Sequence, residues 1–187
     1  MEAFLVSFGL VALAELGDKT QFLALMLASR FHRPLPILAG IFVAVVVNHL
    51  ASAALGYFIG IRLSGPWLKW IIAGSFFAVA IWAMLPEKAE KEEKLPPGRY
   101  GVFGVTLCAF FLAELGDKTE VATAALAARF AVLFPVVAGT SLAMMAANLP
   151  AVLLGRQLGR WVSLRTLRWG AVVLSIALGI WTLMPDR

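Results

Sequence analysis

Cysteine is almost missing from this 187-residue chain. The one present, Cys108, excludes an intrachain disulfide and any multi-cysteine metal site. Two histidines, His32 and His49, are too few for a histidine-based cluster. Charged residues make up only 14% of the chain, against about 25% in soluble domains. No basic stretch precedes the first apolar run, and that run carries Glu15, Asp18 and Lys19. A cleavable signal peptide is therefore not expected, and the first segment should be retained. The chain holds no Walker loop, dinucleotide fingerprint or HExxH motif. An ATP-driven pump or a nucleotide-linked enzyme would need that machinery elsewhere.

What is present is apolar. Hydrophobic residues form 61% of the chain and the mean hydropathy is +0.87. They lie in long runs that lack the polar face of a water-exposed helix. Six spans are predicted: Phe4–Ala28, Ile37–Ile59, Trp67–Leu85, Gly101–Ala127, Val132–Leu154 and Trp169–Met184. A bilayer needs roughly 17–25 residues per spanning helix, so the last is slightly short. All six tryptophans (Trp67, Trp70, Trp82, Trp161, Trp169 and Trp181) fall at or near span ends, where amphipathic rings favour the headgroup region. The predicted fold class is an all-α integral membrane protein.

Short connections imply antiparallel neighbours. The longest, Pro86–Tyr100, mixes Glu and Lys before a Pro96-Pro97-Gly98 break and reads as a solvated linker. The net charge of +5 collects in the connections, so it reads as a topology signal rather than a nucleic-acid surface. Connections after spans one, three and five hold ten basic residues: Arg30, Arg33, Lys88, Lys91, Lys94, Arg99, Arg156, Arg160, Arg165 and Arg168. The opposite side holds four: Arg62, Lys69, Arg129 and Arg187. The positive-inside rule then places the linker in the cytoplasm and both termini outside it.

The sequence Ala-Glu-Leu-Gly-Asp-Lys-Thr occurs twice, at Ala14–Thr20 and Ala113–Thr119, 99 residues apart. Arg30-Phe31 matches Arg129-Phe130, Gly40 matches Gly139, and Gly56 matches Gly155. Asn48 and Asn148 correspond with one residue of slippage. Residues 1–85 and 101–187 therefore read as two three-helix repeats joined by the linker 86–100. An odd number of spans inverts the second copy, giving six transmembrane helices as two inverted three-helix repeats. Inverted repeats suit alternating access around a site near the bilayer midplane, and a channel or a symmetric scaffold as well.

Each repeated motif carries two carboxylates, Glu15 and Asp18 in one and Glu114 and Asp117 in the other. The spacing of three predicts neighbouring positions on one helical face. Where the two helices cross, four carboxylates can converge. Ionisable groups inside a membrane are costly, and they tend to face a water-filled or substrate-bearing interior. A divalent cation answers that cost, and a site of carboxylate, hydroxyl and amide oxygens suits Ca²⁺, Mg²⁺ or Mn²⁺. Thr20, Thr119 and Gln21 can add neutral oxygens. When the metal leaves, crowded carboxylates in a poorly solvated site should take up protons. Competition between metal and proton for the same oxygens is the minimal chemistry of an antiporter. Glu15, Asp18, Glu114 and Asp117 are thus the candidate exchange site, with Glu15 and Glu114 at its centre.

The plainer alternative is a set of buried salt bridges. Lys19 and Lys118 can each neutralise a carboxylate across the interface, as charge-balancing locks or as gates, yet two acids per half leave net negative charge. Gly17 and Gly116 are expected to permit close helix packing. Asn48 and Asn148 either line the pathway or satisfy an interhelical hydrogen bond. His49 reads as a packed histidine, and Cys108 and Met144-Met145 as apolar filling.

The duplicated Glu-Leu-Gly-Asp-Lys-Thr resembles the signature of the GDT1 / TMEM165 family, and the resemblance covers essentially the whole chain. It implies a cation/proton exchanger moving Mn²⁺ and, in several members, Ca²⁺, with bacterial members resembling manganese exporters. By position, the family's acidic residues fall on Glu15, Asp18, Glu114 and Asp117, and its basic and hydroxyl positions on Lys19, Thr20, Lys118 and Thr119. One place departs from the pattern: Gln21 follows the first motif, as is usual in the family, whereas Glu120 follows the second. That extra carboxylate either faces an exit path and alters ion preference or lies at the aqueous boundary. The short chain, without an organellar targeting extension, is expected in a bacterial inner membrane.

The leading expectation is a secondary Mn²⁺/H⁺ antiporter rather than an enzyme. Ca²⁺ is a second substrate, the lipid bilayer is the surroundings, no cofactor is permanently bound, and a homodimer is compatible with the sequence. The competing expectations are an exporter of a small amino acid or cationic solute, a channel without proton counter-movement, and a membrane scaffold in which the motifs only hold helices together.

Overall fold

The computed structural model describes residues 1–16, 18–63, 66–84, 101–154 and 164–184. Among them are eight helices and no strand: α1 (Glu2–Glu15), α2 (Lys19–Phe31), α3 (Pro34–Arg62), α4 (Pro66–Met84), α5 (Gly101–Glu114), α6 (Lys118–Phe130), α7 (Phe134–Leu154) and α8 (Leu164–Leu183). The linker 86–100 lies outside the described residues, as do Trp161, Arg187 and most of the basic run 156–168.

Helices α3, α4 and α7 are long and apolar enough to cross a membrane. The 29 residues of α3 rise about 44 Å at 1.5 Å each, more than the ~30 Å hydrocarbon core. Large apolar side chains including Phe22, Leu35, Leu55, Trp67, Leu112 and Val173 are exposed. That surface would aggregate in water and suits lipid. This is an all-helical membrane protein.

The first and fourth predicted spans are not single helices. Each is two shorter ones, α1 with α2 and α5 with α6, and each breaks inside the repeated motif. The two breaks are built alike. Asp18 and Asp117 are the N-caps of α2 and α6, with extended backbone at φ/ψ −80°/168° and −80°/165°. Gly116 sits at φ +75°, a left-handed conformation that glycine adopts without steric cost. Its predicted role in close packing gives way to a conformational one, because nothing lies within 4 Å of where its Cβ would stand. The far ends also match, with His32 at φ 54° ending α2 and Ala131 at φ 51° ending α6.

The sequence repeats are not separate packing units. Helix α1 packs on α7 and its counterpart α5 on α3, while α4 packs on α8. The exchange is symmetrical in detail. A Cβ on Gly40 would approach the Phe103 carbonyl oxygen to 2.8 Å, and one on Gly139 the Phe4 carbonyl oxygen to 2.6 Å. Phe4 and Phe103 are themselves 99 residues apart. Absent side chains let these backbones touch, the means by which membrane helices associate without a hydrophobic driving force. Among the described residues two large apolar cores result, beside a small cluster of Ala80, Ala83 and Val172 between α4 and α8. One gathers Leu23, Leu27, Ile41, Phe110 and Met144 from α2, α3, α5 and α7. The other gathers Leu10, Phe76, Leu126, Val136 and Leu178 from α1, α4, α6, α7 and α8. Because α1 belongs to one core and α2 to the other, the break between them lies where the cores meet.

Candidate metal and proton site

Breaking each span at its motif changes what the i, i+3 spacing does. Glu15 is the last residue of α1 and Asp18 the cap of α2, so the two do not share one helical face. The chain turns between them, with Asp18 N–H donating to the Glu15 carbonyl oxygen at 3.1 Å. The second half repeats the turn, with Asp117 N–H donating to the Glu114 carbonyl oxygen at 3.0 Å. Each glutamate is thereby held at a helix C-terminus, and each aspartate at the N-terminus of the next helix.

Glu15 and Glu114 are completely buried. Thr20 Oγ1 donates to Glu15 Oε2 at 2.9 Å, and Thr119 Oγ1 to Glu114 Oε2 at 3.3 Å. The hydroxyl five residues on thus fixes one oxygen of each glutamate, and Oε1 of each accepts no hydrogen bond among the described residues. Carboxylate oxygens of Glu15, Glu114 and Asp117 lie within 4.8 Å of one another. That spacing is close to twice the roughly 2.3–2.6 Å of a Ca²⁺–oxygen bond, so a small inward shift of these side chains would let one hard cation reach all three. The donors are oxygens throughout, as such a cation prefers.

The lysines cross between the halves. Lys118 Nζ stands 2.8 Å from Asp18 Oδ2, and Lys19 Nζ stands 3.8 Å from Asp117 Oδ1. Asp18 is drawn into its ion pair, so three of the four predicted carboxylates, not all four, form the ion-sized group. The residues just beyond the motifs diverge. Gln21 Nε2 donates to the Ala147 carbonyl oxygen at 2.8 Å, in α7, which continues through Pro150. Glu120 turns back instead, its Oε2 accepting from Gly116 N–H at 2.8 Å.

Asn48 and Asn148 are buried. Asn48 Nδ2 donates to the Phe111 carbonyl oxygen, tying α3 to α5, and Asn148 Nδ2 donates to Met144 within its own helix. Met144 is core filling, Cys108 is a half-buried thiol, and His49 is fully buried. Sequence reasoning missed the helix breaks, although each motif contains the signal: a glycine followed by an aspartate that can cap a new helix.

A family model for "Divalent cation/proton antiporter GDT1" matches residues 3–91 and 102–187, one stretch for each half. The chain is 45% identical over 157 residues to a Vibrio cholerae protein named "Putative manganese exporter", covering 83% of this chain and 78% of that protein. It is 29% identical over 221 residues to "GDT1-like protein 5" of Arabidopsis thaliana, covering 98% and 96%. A third relative, "GDT1-like protein sll0615" of Synechocystis, is 31% identical over 149 residues, covering 68% of this chain and 71% of that protein. No solved structure matches the chain.

Proposed function

Since the chain belongs to the GDT1 family of divalent cation/proton antiporters, a family of transporters rather than enzymes, we propose that it exports Mn²⁺ in exchange for protons, with Ca²⁺ as a second substrate. Glu15, Glu114 and Asp117 bind the ion, and Asp18 holds Lys118. One observation carries the reading: two fully buried glutamates, one from each half, share an ion-sized space with Asp117.

Charge counting gives that observation its chemistry. The two motifs supply four carboxylates and two lysines. With Lys118 on Asp18 and Lys19 beside Asp117, two negative charges remain for Glu15 and Glu114. Buried charge without a counter-charge is strongly disfavoured, and one divalent cation or two protons restore neutrality equally well. Exchange of one for the other keeps the site neutral in both loaded states, so two protons per metal ion is the expected ratio. Thr20 and Thr119 orient the glutamates and leave their second oxygens for the ion. Mn²⁺ takes precedence over Ca²⁺ on the name of the Vibrio cholerae relative, since oxygen donors accept both.

On the positive-inside orientation, both termini lie outside the cytoplasm, six spans cross the bilayer and the linker is cytoplasmic. The paired helices α1–α2 and α5–α6 are then discontinuous spans that meet at the midplane, where broken helices commonly hold a transporter's ion site. Purified protein in vesicles containing a pH-sensitive dye tests the reading, with Mn²⁺ and Ca²⁺ supplied separately. Metal entry tied to opposite proton movement is the expected result. Metal flux without proton movement would make the protein a channel, and no metal flux from folded protein would reject the ion as substrate.

A further inference from the structure

The pseudo-symmetry that builds the site fails at one end of the molecule. The outer turns of α6 are latched. A Cβ on Gly56 would overlap the Ala124 carbonyl, and one on Gly60 would stand 2.8 Å from the Ala128 carbonyl oxygen, so α3 and α6 touch backbone to backbone. The guanidinium of Arg129 lies over the Trp181 ring at 4.7 Å, and Phe130 meets the same ring edge-on at 5.9 Å. Helix α4 packs along α6 and completes the seal.

The repeat supplies the same parts to α2. Arg30, Phe31 and Trp82 stand 99 residues before Arg129, Phe130 and Trp181, and Gly155 and Gly159 stand 99 residues after Gly56 and Gly60. The two glycines lie outside the described residues. Among the described residues the three side chains do not form the latch. Arg30 lies over its own neighbour Phe31 at 5.6 Å, and Trp82 is 39% exposed. Helix α8, the counterpart of α4, packs on α1 and is not a main neighbour of α2 among the described residues. A cavity of about 250 Å³ opens at this end, lined by Ala28, His32, Arg33, Pro34, Val152 and Leu153. The difference reaches the site, where the side chain of Lys19 on α2 is 31% exposed and that of Lys118 on α6 only 7%.

We propose that Arg129–Phe130–Trp181 and Arg30–Phe31–Trp82 are alternating gate latches, the first closed and the second open in this conformation. In the other conformation Arg30 and Phe31 close on Trp82, while α6 comes away from Gly56, Gly60 and Trp181. Each latch stabilises one state only, so its loss shifts the population toward the other. On the positive-inside orientation the open end is cytoplasmic. The proposal rests on the exchange function above, but its test reads conformation and needs no ion flux.

Single cysteines at two equivalent positions, Ala28→Cys on α2 and Ala127→Cys on α6, are placed in a Cys108→Ala background. Ala28 lines the cavity, whereas Ala127 is fully buried. Labelling by a water-soluble maleimide is followed in vesicle-reconstituted protein. The expected result is faster labelling at position 28. Trp181→Ala should raise labelling at 127 and lower it at 28, by about threefold to tenfold, the effect of one lost cation–π contact. Trp82→Ala should do the reverse. Arg129→Gln and Arg30→Gln repeat the comparison with a smaller change of volume, should a tryptophan variant fail to fold. Opposite shifts support the latches even if Mn²⁺ exchange were absent, a result that would sink the functional reading alone. Shifts in the same direction, or none, overturn the latches even where exchange is intact.

Discussion

The same seven residues, Ala-Glu-Leu-Gly-Asp-Lys-Thr, are placed in two surroundings within one molecule. Among the described residues their backbone is nearly the same in both. Both copies end a helix on glutamate, turn, and restart on an aspartate cap with nearly identical dihedral angles. Packing and exposure do distinguish them. Lys118 is enclosed and 2.8 Å from its aspartate, whereas Lys19 is partly open and 3.8 Å from its own. The motif therefore encodes the break and the pairing partners, and the helices around it decide how tightly each half is closed. Under the proposed transport function, inverted repeats would use that division: one motif in both halves, and an environment that can differ between them.

The strongest test of equivalence is at the glutamates. Glu15→Gln and Glu114→Gln should each abolish Mn²⁺/H⁺ exchange in vesicles while leaving membrane insertion intact. Each removes one of the two charges that the cation neutralises, and an uncompensated charge in a buried site costs several kcal/mol, equivalent to a loss of more than about 100-fold. Glu90→Gln in the linker serves as the control and should transport normally. If either core variant kept normal Mn²⁺ flux, the assignment of these two residues would be wrong.

The lysines should then part the two halves. Lys118→Met leaves Asp18 buried without its near cation, and breaking a buried pair costs about 3–5 kcal/mol. Lys19→Met removes a longer, part-exposed pair, where about 0–1 kcal/mol is the usual scale. Thermal unfolding in detergent should show a much lower midpoint for the first variant than for the second. Equal losses would mean that the two halves interconvert freely on the timescale of unfolding, so that neither lysine keeps the surroundings described here.

How far this arrangement could be read from sequence divides along the same line. The repeat, the acidic pairs and the positions of α3, α4 and α7 were legible because they rest on identity and on hydrophobic run length. The breaks at Leu16–Asp18 and Leu115–Asp117 were not, because an apolar run through Gly-Asp is as compatible with one long helix as with two short ones. The separation of Asp18 from the other three carboxylates was hidden for the same reason, since spacing along a helix no longer governs once the helix ends. That Lys19 and Lys118 can each neutralise a carboxylate across the interface was legible, whereas the choice of Asp18 for Lys118 and Asp117 for Lys19 depends on how the halves interleave. Gly40 and Gly139 were visible only as a matched pair. Their contact with the backbones of Phe103 and Phe4 is a property of packing between halves.

A smaller effect is expected at the turn itself. Gly116 holds φ +75° with open space where a Cβ would stand, so Gly116→Ala introduces backbone strain without a clash. A residue with a Cβ in the left-handed region costs about 1–2 kcal/mol. The variant should unfold at a slightly lower temperature and still exchange Mn²⁺. A loss of exchange with unchanged stability would show that the turn moves during transport through conformations that only glycine reaches.

The smallest effect is expected where the sequences of the motifs diverge. Glu120→Gln gives the second motif the residue that follows the first. The new amide keeps an oxygen able to accept from Gly116 N–H, so the turn should survive. What changes is one charge on a half-buried side chain, worth about 0–1 kcal/mol and so less than about fivefold in flux. The informative measurement is the ratio of Mn²⁺ to Ca²⁺ flux rather than either rate alone. A shifted ratio with a preserved rate places Glu120 on the ion's route, where it sorts cations without holding them. An unchanged ratio makes it a cap for the α5–α6 turn. A loss as deep as that of Glu114→Gln would put a third uncompensated charge in the site, and the two-proton balance between Glu15 and Glu114 would fail.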